Sequence, residues 1–109
     1  MEKELLSKMF TAVQKCLTIG EKIKCVEDIN NTMIYDVLLS NLIVIRDIEK
    51  KISQDLKQKI SAIDWEKFED YDKEITNKFE HKDSEVIYKI IKEELPNIQI
   101  ELEKILFSE

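Results

Sequence analysis

The sequence predicts an all-α fold: an antiparallel bundle of about four to six helices in one domain over residues 1–109. Three observations predict it. The whole chain holds one Gly and one Pro, too little punctuation for β-hairpins or long loops. Lys, Glu, Ile and Leu dominate, and these residues build helices with charged outer faces. Apolar residues return at three- and four-residue steps over most of the length, where half-buried strands would alternate. With 109 residues, 43% hydrophobic and 37% charged, the chain suits one core under a heavily solvated surface.

Leu5, Met9, Val13 and Cys16 place a first amphipathic helix over about residues 2–18. Gly20 either ends it, leaving a short helix over about 21–29 with Ile23, Val26 and Ile29, or the helix runs straight through. Asn30-Asn31-Thr32 breaks the pattern, with Thr32 as the expected N-cap. The next helix, about 33–52, carries Ile34, Val37, Leu38, Asn41, Ile45, Ile48 and Ile52 on one stripe, and Leu42 and Val44 widen the arc expected to be buried. Ser53 caps a short helix to about Ile60, and Asp64 caps another beginning at Trp65. On that helix Phe68, Asp72, Ile75 and Phe79 share a face with Tyr71 at its edge. Asp83-Ser84 opens a helix with Val86, Ile87, Ile90 and Ile91, which Pro96 interrupts or replaces with a new one. Ile98, Leu102, Ile105 and Leu106 form the terminal stripe.

Net charge is −6, and Lys alternates with Glu and Asp without a basic run. That balance argues against RNA or DNA, whose binding needs clustered cations. Arg46 is the only Arg and His81 the only His, a small catalytic inventory. The chain starts Met1-Glu2-Lys3-Glu4, unlike a secretory leader. The apolar run near Val37–Ile45 is broken by Ser40 and Asn41 and is too short to span a bilayer. With two cysteines that form no CxxC pair, the expectation is a reduced, cytoplasmic protein with no membrane segment and no cofactor. Cys16 and Cys25 are expected to be buried as small apolar residues.

Several features, in order, resemble one family. Asp36-Val37-Leu38-Leu39-Ser40-Asn41-Leu42 resembles its central helix, including its Asn. Ile63-Asp64-Trp65 is similar to its Ile-Pro-Trp, and Glu93-Glu94-Leu95-Pro96 to its Asp-Leu-Pro. The family is the HepT-like branch of the HEPN proteins, toxin ribonucleases of toxin–antitoxin pairs, and the likeness spans about residues 33–98. It implies a helical bundle that dimerises through the helices carrying its motif, and a nucleotidyltransferase-type partner.

The family's motif is an Arg, a His five residues on and a Tyr two further. This chain has Asp72, Asn77 and Phe79 there. The metal-independent cleavage that the resemblance implies needs a His to take the ribose 2′-OH proton and an Arg to hold the phosphate. Asp72 repels phosphate, Asn77 takes up no proton near neutral pH, and Phe79 has no hydroxyl to accept a nucleotide group. The expected function is therefore that of a catalytically degenerate HEPN-like protein acting by protein binding, as a homodimer. One alternative is a toxin ribonuclease with a rearranged site using Arg46, His81 or Asp72. Another is a phage or mobile-element protein that blocks a host complex.

The remaining candidates each have a plainer reading. Asn41, Tyr71 and Asp72 would line the binding groove, yet Asn41 also suits a satisfied amide that sets helix register or a dimer seam. Arg46 either pairs with Asp72 across helices or is a solvated surface residue. His81, in Phe79-Glu80-His81-Lys82-Asp83, is a general base or an exposed loop residue. Glu66, Glu69, Asp70, Asp72 and Glu74 form a solvated face, since no Glu-x-x-His step accompanies them. Trp65, Phe68, Tyr71 and Phe79 suit a core or interface better than base stacking, because Lys and Arg do not interleave them.

Overall fold

The structure is a computed structural model that describes residues 2–66, 68 and 84–107. It is an all-α bundle, with no strand among the described residues. Tyr71, Asp72, Ile75, Asn77, Phe79, His81 and Asp83 lie outside them.

Helix α1 spans Glu2–Gly20. Leu6, Met9, Phe10, Val13 and Cys16 are all buried, the spacing of one helix face. The helix ends at Gly20, a position where a Cβ would stand 2.7 Å from Ile91 Cγ2. The Gly20 carbonyl, which has no partner further along α1, accepts Lys92 Nζ at 2.8 Å and the Ile23 N–H at 3.0 Å. The first thirty residues thus form two elements, α1 and a 3₁₀ turn at Val26–Asn30. Asp28 Oδ2 ties that turn down by accepting the N–H groups of Lys24 at 2.7 Å and Cys25 at 3.3 Å. Those bonds, the Lys24 one first, hold the Asp28 carboxyl below its ordinary range.

Helix α2 spans Thr32–Lys51. Its N-cap is Asn31 and not Thr32. Asn31 has the extended backbone of a cap, with φ −63° and ψ 121°, and its Oδ1 accepts the N–H groups of Met33 at 3.0 Å and Ile34 at 3.2 Å. Thr32 is already the first helical residue. The buried face of α2 runs Leu38, Leu42, Ile45, Ile48, Glu49, Ile52. Val37 and Val44 do not join it; they are 41% and 43% exposed. The reason is phase: each lies one residue from the line of Leu38 and Ile45, about 100° round the helix, on the side that α1 leaves open.

Ser53 caps α3, Gln54–Lys59, by accepting the Leu56 N–H at 3.2 Å. Ile60, Ile63 and Phe68 then enter the core. Helix α4, Ser84–Lys89, continues through a π-helical turn, Ile90–Glu94, into α5, Leu95–Phe107. Pro96 neither stops the helix nor starts a separate one. Its ring would collide with the Lys92 carbonyl of a regular α-helix and leave that oxygen without a donor. The wide turn, in which the Leu95 N–H reaches back to Ile90 O, makes room, and Lys92 lies in it. Ile87, Ile90, Ile91, Leu95, Ile98 and Leu102 are buried. Of the terminal stripe, Leu106 also packs against the core, while Ile105 is 40% exposed. α1 packs against both α2 and α5 and also meets the π turn, and the core lies along it.

Candidate functional site

Two places on the described surface combine concavity with polar side chains, and α2 contributes to both. The first is a groove of about 360 Å³ between α1 and α2, lined by Ser7, Lys8, Thr11, Ala12, Lys15, Asn41 and Val44. Asn41 is half-buried at its edge rather than centred on the core stripe. Its Nδ2 donates to Val37 O of its own helix at 2.9 Å, so part of its hydrogen-bonding capacity is spent locally.

Arg46 is half-buried. Its Nε and one terminal nitrogen both lie 3.3 Å from Asp47 Oδ1, the carboxylate of the next residue. The expected partner Asp72, and with it Tyr71, Asn77, Phe79 and His81, lies outside the described residues.

The second place was not singled out from the sequence. Glu49 is the one buried charged residue among those described, at 5% exposure. Lys57 Nζ, on α3, donates to its Oε2. The same ammonium lies 5.8 Å from the centre of the Trp65 ring, within cation–π range. Trp65 Nε1 donates to Lys57 O and Ile60 O, both at 3.1 Å, and its ring meets Phe68 edge-on at 5.3 Å. One sequence signal did exist: Glu49 follows Ile45 by four residues and precedes Ile52 by three, so a charge falls in phase with an apolar stripe. The cluster borders an open hollow of about 900 Å³ lined by Gln54, Lys57, Gln58, Ser61 and Asp64, among others.

Chemically the cluster is a neutralised pair. Lys57 Nζ is engaged by the Glu49 carboxylate on one side and the Trp65 ring on the other. Among the described residues no group of three His, Cys, Asp or Glu side chains is placed to hold a metal ion. Both cysteines are free. Cys16 is fully buried, and burial pushes its thiol up to about 12. Cys25 is exposed, contrary to expectation, because it precedes the 3₁₀ turn with its backbone facing Asp28. No described helix is long and apolar enough to cross a membrane. No protein-family model, no characterised protein and no solved structure matches the chain.

Proposed function

We propose that this chain is a catalytically degenerate HEPN-like protein that acts by binding another protein, a nucleotidyltransferase-type partner, and does not cut RNA. One observation carries the reading: the three positions that would do the chemistry hold Asp72, Asn77 and Phe79, which supply neither a phosphate-binding cation, nor a base, nor an acceptor hydroxyl. The described surroundings agree with it. Arg46, the only Arg in the chain, already faces the Asp47 carboxylate, which lowers its value as a phosphate clamp. Asn41 donates to its own helix.

The test is direct. Purified protein is incubated with total RNA and with defined single-stranded RNAs, beside an Asp72→Arg, Asn77→His, Phe79→Tyr variant. The expected result is no cleavage by the natural sequence. Robust cleavage that Asn77→Ala abolishes refutes the reading. In parallel, affinity capture with natural and Asp72→Arg, Asn77→His baits is expected to recover a nucleotidyltransferase-type protein with both. Recovery of RNA that the double substitution releases would return the chain to the enzymes.

A further inference from the structure

We propose that the groove between α1 and α2 docks an acidic amphipathic helix of a protein partner. This rests on the protein-binding reading above and names the surface and the chemistry it selects.

On α2 the groove is walled by Asn41 and Val44, and an exposed apolar strip continues from Val44 along the same helix. Met33, Val37 and Val44 are 79%, 41% and 43% exposed, and their spacing keeps them on one side of the helix, since steps of four and seven residues return to nearly the same face. Large apolar side chains aligned in this way mark an interaction surface more strongly than the same residues scattered singly. The α1 wall is cationic. Lys8 and Lys15 both line the groove, seven residues or about 10 Å apart along the helix, with the small side chain of Ala12 between them. Neither lysine makes an ion pair among the described residues. In a chain of net charge −6, two lysines on one helix edge beside an apolar strip give this groove a cationic border.

That combination selects one occupant. An apolar strip bordered by cations complements a helix whose apolar face carries carboxylates along one edge. Carboxylates seven residues apart on such a helix would meet Lys8 and Lys15 together. The hollow is open, and at about 360 Å³ it suits the anchor side chains of a longer element better than an enclosed small molecule. An RNA strand would satisfy the lysines and leave Met33, Val37 and Val44 in water. A second copy meeting this face about a two-fold axis would gather two lysine pairs into one contact, since the same patch occurs on both sides of it.

The experiment uses a surface-displayed library of helical peptides about 18 residues long, five turns, with a fixed apolar stripe and randomised flanks. It is sorted against the full chain and against a Lys8→Glu, Lys15→Glu variant. The natural sequence is expected to enrich acidic flanks, with carboxylates seven residues apart. The variant should bind those peptides about tenfold or more weakly and enrich basic flanks instead. Val44→Asp should lose both sets. All three positions are exposed, so each variant should melt where the natural protein does. Enrichment of neutral or basic flanks by the natural sequence, a preference unmoved by the charge reversal, or no enrichment at all overturns the proposal. Photo-cross-linking from Val44 and, separately, from Ile100 in a host lysate distinguishes the two levels of the argument. An acidic helix captured from Val44 supports the groove. Protein captured only from Ile100 overturns the groove and leaves protein binding standing, whereas RNA captured from Val44 overturns both. A second copy captured there overturns the groove's assigned occupant.

Discussion

Replacing Lys57 with Met should unfold this protein far more readily than any surface lysine change, and the size of the effect follows from Glu49. The Glu49 side chain is 7% exposed and that of Lys57 17%. Without Lys57 the carboxylate stays behind in the core edge with no counter-charge. Breaking a buried pair from one side costs about 3–5 kcal/mol. Lys57 is partly in contact with water, which brings the expected cost below that range, to about 2–3 kcal/mol. The ammonium's position over Trp65 adds about 0.5 kcal/mol that Met's sulfur largely restores. For a chain of this length each kcal/mol lowers Tm by about 4–8 °C, so a drop of roughly 10–20 °C is expected. The partner change, Glu49→Gln, should cost less, about 1 kcal/mol, because the long lysine can swing its charge into water whereas the short buried carboxylate cannot. Replacing both residues, Glu49→Leu with Lys57→Met, should recover most of the loss, since well-packed apolar residues match or exceed a buried ion pair. Urea melts of the natural protein, Glu49→Leu, Lys57→Met and their double variant give the coupling energy. The reasoning is refuted if Lys57→Met alone costs under about 0.5 kcal/mol, or if the double variant loses as much as the two single changes combined.

Three further expectations concern separate parts of the fold. Gly20→Ala forces a Cβ to within 2.7 Å of Ile91 Cγ2 and should cost about 1–3 kcal/mol by thermal denaturation despite alanine's better helix propensity; Ile91→Leu, which lacks the γ2 methyl, should lessen that penalty. Asn31→Ala should cost about 1 kcal/mol, and Thr32→Ala only a few tenths, because the cap bonds belong to Asn31; equal costs would contradict the cap assignment. Burial raises the Cys16 thiol from an ordinary 9.0 to about 12. Below about pH 9 both folded and unfolded chains keep that proton; above it only the unfolded chain releases it, so stability falls by up to about 1.4 kcal/mol per pH unit towards pH 12. Urea melts between pH 8 and pH 10.5 should show that extra slope in the natural protein and not in Cys16→Ala, and identical slopes would rule it out.

Much of this was readable in the sequence, and the misses share a cause. Helix bounds depend on neighbours in the chain, so α1, α2 and α3 fall within a few residues of where spacing and caps put them, and Ser53 caps as its position predicts. The disturbance at Pro96 was also readable, though not its form as a π turn inside one continuous helix. Of the candidate site residues, Asn41 and Arg46 are brought to the same helix as Glu49, while Tyr71, Asp72, Asn77, Phe79 and His81 lie outside the described residues. Asn41 turned out to donate to Val37 O, a local bond to the carbonyl four residues back on its own helix.

By itself the sequence determined the helical class and most helix limits. Only the tertiary structure decided which arc of α2 is covered. Periodicity says that apolar residues share a face, but the width and phase of the buried part depend on where α1 and the rest of the core stand. That is why Val37 and Val44 face water, and why Glu49, surrounded by isoleucines in phase, is buried against a lysine eight residues away. The same holds for Gly20: its meaning lies in Ile91, seventy-one residues further on, and no local rule connects the two.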